Sequence, residues 1–163
     1  MPIALITGTT AGIGAATAQI LAKNGYDLIL NGRRKDRLEE QSEELKSQYA
    51  IKTKVMHVDV RDHDAVKQYI EHLSSDWKSI DILVNNAGLA AGLNSIESGS
   101  VDHWNRMIDT NIKGLLHVTK YTTPLLKNTN GHIINIGSIA GKEVYLNGNV
   151  YCGTKHMVDA LNK

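Results

Sequence analysis

The chain has 163 residues, 42% of them hydrophobic, the size of one domain with a packed core. Its 18 basic and 17 acidic residues are interspersed, so there is no electrostatic case for nucleic acid or an anionic membrane as partner, and no apolar run reaches the length of a bilayer span. Cys152 is the single cysteine, which excludes an internal disulfide and fits a reducing compartment, so cytoplasm is the expected location.

In chain order, IALIT (3–7) reads as a buried strand and residues 11–25 as an Ala-rich helix closed by Gly25. Before the strand there is no charged segment of a secretory signal. Residues 26–32 form a second strand, 34–49 a charged amphipathic helix, 53–60 a third strand, and 61–75 a helix with Asp62 or Asp64 near its start. IDILVNNAG (80–88) is an apolar strand with a polar end. Residues 101–127 read as one long helix with Gly114 and Pro124 as possible interruptions, 131–138 as a fifth strand, and 149–163 as the start of a further helix. Strands that are continuously apolar and alternate with helices predict an α/β fold, a doubly wound parallel sheet of Rossmann type in the order 3-2-1-4-5.

The turn between the first strand and first helix is TGTTAGIG, with the spacing GxxxGxG. Glycines there permit a sharp turn and let a pyrophosphate approach the amides of a helix N-terminus. Gly8, Thr9, Thr10, Gly12, Ile13 and Gly14 are therefore candidate cofactor-binding residues; the alternative is a tight βα loop with no ligand. Strand 2 ends in NGRRKDR, where a dinucleotide fold meets the adenosine ribose. Arginine suits a phosphate there, so Arg33, Arg34 and Arg37 predict NADP over NAD; the alternative is a set of solvated charges at a helix start. Asp59 and Val60, at the end of strand 3, are placed to flank the adenine, although an aspartate there also suits a helix cap. The seven histidines are scattered with no HxxxH or HxH pair, so no metal site is expected.

Tyr151 and Lys155 lie four apart, and so on one helix face. A phenol with the ordinary pKa near 10 carries a proton poorly at neutral pH, and an ammonium one turn away favours the phenolate. Cys152 lies about 100° round the helix from Tyr151 and reads as packing.

With TGTTAGIG, NNAG (85–88), Asn111, Ser138 and Tyr151-x-x-x-Lys155 in this order on these elements, the chain resembles the short-chain dehydrogenase/reductase family over residues 3–163. Within it, WKSIDILVNNAGLAAG, MIDTNIKGL and GHIINIGSIAGKEVYLNGNVYCGTK are similar to NADP-dependent 3-hydroxy acid dehydrogenases, which oxidise serine and related acids. The resemblance implies an oxidoreductase that moves hydride between NADP and a secondary alcohol or ketone. Tyr151 is then the general acid/base, and Lys155 tunes it and holds the nicotinamide ribose. Ser138 bonds the substrate oxygen, and Asn111 holds a water for proton relay to Lys155. Asn85 and Asn86 tie strands together, with Asn86, Ala87 and Gly88 beside the cofactor. Alternatives are a 3-oxoacyl carrier-protein reductase, a sugar alcohol dehydrogenase, or a nucleotide sensor without turnover.

The resemblance also implies a homo-oligomer when full length. It implies that residues 1–163 are one NADP-binding and catalytic domain cut within the Tyr151/Lys155 helix, lacking the last two strands and the segment that closes over substrate. The fifth strand is then expected at an apolar edge.

Overall fold

The computed structural model describes residues 1–163. Five parallel strands lie in the order β3-β2-β1-β4-β5, as the alternating pattern predicts: β1 Ile3–Thr7, β2 Asp27–Gly32, β3 Thr53–His57, β4 Ile80–Asn85 and β5 His132–Asn135. Because side chains alternate across a strand, β1 feeds two cores. Ile3 and Leu5 pack with Val66 and Ile70 of α3 (His63–Glu71) and with Val118 and Leu126 of a later helix. Ala4 and Ile6 face the other way, against Ala18 and Ala22 of α1 (Gly12–Lys23) and Leu38 and Leu45 of α2 (Lys35–Tyr49). β5 is the edge, and its Ile133 and Ile134 are 41% and 46% exposed. No helix is long and apolar enough to cross a membrane.

Several boundaries differ from the sequence pattern, β5 among them, which ends at Asn135 and not at residue 138. β3 ends at His57 and not at residue 60, because the chain turns with Val58 N–H on the Met56 carbonyl at 2.9 Å. The buried Asn31 amide holds that turn, donating to the Met56 and Val58 carbonyls at 3.0 and 2.9 Å. β4 ends at Asn85, because Asn86 and Ala87 turn their N–H groups onto the Thr7 hydroxyl at 3.0 and 2.9 Å.

The long helix is three pieces: α4 (Val101–Ile108), a widened π-type turn (Asp109–Gly114), and α5 (Leu115–Thr129). Pro124 sits inside α5 without ending it, at an exposed position. The final helix, α6, is Asn149–Leu161. Asp62 caps α3 by accepting from Ala65 N–H at 3.0 Å, while Gly25, at φ +80°, follows the end of α1.

Candidate active site

The ends of β1, β2, β3, β4 and β5 surround one cleft of about 860 Å³. This is the carboxyl edge of the sheet, where open α/β folds bind ligands.

At its centre the glycine turn is knotted to the NNAG turn. The Asn86 amide donates to the carbonyls of Thr7 at 2.8 Å and Gly8 at 3.1 Å. Gly8 and Gly12 have φ of +72° and +58°, the left-handed region that favours glycine. Gly14 serves a different need: a Cβ there would overlap the Gly8 carbonyl oxygen and the Asn86 amide. The N-cap residue of α1, Ala11, supplies no side-chain bond. The first-turn amides of that helix thus keep their hydrogen-bonding capacity, with Ala11 and Ile13 on the cleft wall.

Gly8, Thr10 and Ile13 line the cleft; Thr9, Gly12 and Gly14 do not. Thr9 is buried with its N–H and hydroxyl on the Asn31 carbonyl at 3.0 and 3.4 Å. Arg33 and Arg34 line the cleft together. The Arg34 guanidinium reaches back to the glycine turn, donating to the Thr10 hydroxyl at 2.6 Å and the Thr10 carbonyl at 3.2 Å. Arg37 is not with them. It points into a separate polar hollow with Gln19, Glu40 and Glu44. Asp59 and Val60 line the cleft beside Arg33, as do Asn86, Ala87 and Gly88. Asn85 does not; its amide ties Thr119 to Asn135 at 2.9 and 2.8 Å.

At the other end Tyr151 and Lys155 both face the cleft from α6. Lys155 is largely buried and donates to the Ile136 carbonyl at 2.8 Å. Burial pushes its ammonium below the ordinary lysine value. Ser138 is off the cleft wall, one residue beyond the cleft-lining Gly137; it follows β5 and caps a short 3-10 turn, Ile139–Gly141, accepting from Ala140 N–H at 3.2 Å. Asn111 sits behind the cleft wall, buried in the widened turn. Its side chain accepts from Leu89 N–H at 2.9 Å and donates to the Leu89 carbonyl at 2.8 Å and the Thr154 hydroxyl at 3.1 Å. Cys152 is buried, as packing requires.

The structure adds residues the sequence reading passed over. Asn31, Ile136, Gly137 and Thr110 line the cleft, and the Thr110 hydroxyl is buried without a partner. Asn31 had a signal, an amide in an otherwise apolar strand; Ile136 acts through its backbone, which leaves no mark on residue type.

The chain belongs to the short chain dehydrogenase family, whose model matches residues 2–163. It is 43% identical over 157 residues to the NADP-dependent 3-hydroxy acid dehydrogenase YdfG of Escherichia coli K12, covering 96% of this chain and 62% of that protein. It is 45% identical over 151 residues to the serine 3-dehydrogenase of Rhizobium radiobacter, covering 93% and 59%. The closed form of a serine dehydrogenase complexed with NADP+ superimposes with a TM-score of 0.89 at 42% identity, over 98% of this chain and 63% of that one. An alcohol dehydrogenase of the archaeon Thermococcus sibiricus, complexed with 5-hydroxy-NADP, gives a TM-score of 0.94 at 32% identity, over 99% and 68%. The chain thus spans 62% and 59% of the lengths of the two curated relatives.

Proposed function

We propose that the protein is an NADP-dependent oxidoreductase of the cytoplasm, acting on a secondary alcohol or ketone, with a 3-hydroxy acid such as serine as substrate. One observation carries this reading: a single cleft has Tyr151 and Lys155 at one end and Arg33 and Arg34 at the other, with the glycine turn on the wall that joins them. The cytoplasmic location rests on the lone, buried cysteine. The substrate class rests on the named relatives; a homo-oligomeric assembly rests on the resemblance to the family alone.

The residues present fit the cofactor. The cleft volume is in the range of cofactor sites, the uncapped start of α1 offers backbone donors to a pyrophosphate, and two guanidiniums at the β2 end suit a 2′-phosphate. NADP, when bound, supplies the hydride chemistry. Asp59 and Val60 would flank its adenine, Ala87 and Gly88 would leave room for it, and Lys155 would hold its nicotinamide ribose. The Tyr151 hydroxyl passes a proton to the substrate oxygen in reduction and takes it back in oxidation, while the Ser138 hydroxyl holds that oxygen. Asn111 commits its side chain to Leu89 and Thr154. A proton relay to Lys155 therefore draws on its backbone carbonyl. Thr9 supports the glycine turn from within, and Arg37 has no part in the cleft.

The test is titration with NADPH and NADH, followed by nicotinamide fluorescence, and then turnover with NADP over a panel of 3-hydroxy acids. NADPH should bind more tightly. Replacing both Arg33 and Arg34 by alanine should weaken NADPH by about 10- to 100-fold, as expected for charged hydrogen bonds of about 1.5–3 kcal/mol, and leave NADH nearly unchanged. An equal preference in the unmodified protein rejects the role of the arginines. Turnover of simple ketones with none of any 3-hydroxy acid rejects the substrate class.

A further inference from the structure

The arginine end of the cleft contains one carboxylate, and two cations compete for it. Asp59 lies between Arg33 and Arg61. Arg61 grips it with both backbone and guanidinium: N–H to Oδ1 at 3.0 Å, Nε to Oδ1 and Oδ2 at 3.0 Å each, and Nη2 to Oδ2 at 2.6 Å. Arg33 stands further off, its Nη1 3.9 Å from the same Oδ2, an ion pair without a hydrogen bond. Burial pushes the Asp59 carboxyl upward, but the Arg61 bonds and charge, with the charge of Arg33, outweigh it and keep the group below its ordinary value, and so ionised. The Arg33 backbone is also fixed, since His57 Nε2 bonds its carbonyl at 3.0 Å. Only the Arg33 side chain is left to swing. Arg61 itself is absent from the cleft wall.

A carboxylate engaged at both oxygens by one guanidinium has little left for a second. Without Arg61, Arg33 is the nearest cation, and closing by about 1 Å brings its Nη1 into hydrogen-bond range of Asp59. We infer that Arg61 is a positioning residue for cofactor choice: by occupying Asp59 it keeps the Arg33 guanidinium free for the 2′-phosphate. This rests on the proposal that the cleft takes NADP.

The probes are adenosine 2′,5′-bisphosphate and AMP, which differ by the 2′-phosphate alone, measured by isothermal titration calorimetry. The unmodified protein should favour the bisphosphate. Arg61→Gln should lower that preference about tenfold while AMP affinity changes less than about twofold. In an Arg33→Ala background, adding Arg61→Gln should move the preference no further, because the coupling runs through Arg33. An unchanged preference in Arg61→Gln overturns the inference. Equal weakening of both ligands makes Arg61 merely structural and overturns it as well. A fall of the same size with and without Arg33 assigns the effect to overall charge, which also overturns it. No bisphosphate preference in the unmodified protein defeats the NADP reading and the inference together; a preference that survives Arg61→Gln defeats the inference alone.

Discussion

Tyr151→Phe is expected to lower kcat by at least about a thousandfold, within the range for a lost general acid/base, while the NADPH dissociation constant stays within about threefold of the unmodified value. The asymmetry follows from position. The ring of Tyr151 is part of the cleft wall and survives the change, so the cofactor meets almost the same surface. The lost atom is the proposed proton carrier. Lys155 keeps its bond to Ile136 in the variant, and the Thr154 hydroxyl, which donates to the Tyr151 backbone carbonyl at 2.8 Å, is untouched. Single-turnover kinetics with pre-bound NADPH separates the two quantities. Turnover near the unmodified rate removes Tyr151 from the chemistry, and a parallel loss of NADPH binding makes it a binding residue.

Gly14→Ala should act on fold and site together. A methyl group at this position meets the Gly8 carbonyl and the Asn86 amide, and neither is the end of a flexible side chain free to move. Asn86 is held by its bonds to Thr7 and Gly8, and Gly8 is boxed in by Asn86 and Ala87. Helix α1 must back away from β1, at a cost of about 3 kcal/mol on the scale of overpacked cores. The expected result is a lower urea midpoint with unchanged slope and loss of NADPH binding in the fraction still folded. Gly12→Ala gives the contrast, since a Cβ there meets nothing within 4 Å and only the positive φ resists it. Equal stability of Gly14→Ala and the unmodified protein contradicts the tight approach.

Strand order and the cleft's main residues were legible because each depends on a pattern that sequence preserves: apolar runs of strand length, glycines at a turn, charges at a strand end. Arg37 was misplaced for a geometric reason. Arg33 and Arg34 precede α2 and share the loop that faces the cleft, whereas Arg37 is already helical, on the α2 face that carries Glu40, Gln41 and Glu44 three, four and seven residues on. Arg61 was overlooked because its effect passes through Asp59, two residues away and closing a turn on it, which reads as ordinary turn chemistry. The division of the long helix left one trace, Gly114, a possible interruption that ends the widened turn; the rest of the turn left none. Its buried positions, Met107, Thr110, Asn111, Gly114, Leu115, Val118 and Thr122, keep steps of one, three and four throughout, the spacing of an uninterrupted helix.

That widened turn has a consequence for how the chain tolerates changes in length. A turn closed by i to i+5 bonds holds one residue more than an α-helix needs to connect the same two ends. Removing a single residue between Asp109 and Gly114 therefore lets the segment relax into regular helix, with α4 and α5 still joined and still packed. What shifts is the angular setting of Asn111 against Leu89 and Thr154, and with it the link between the loop after β4 and the helix that carries Tyr151 and Lys155. A one-residue deletion in most helices is an injury to the fold. Here it falls on the alignment of the site, and the architecture has slack to absorb it.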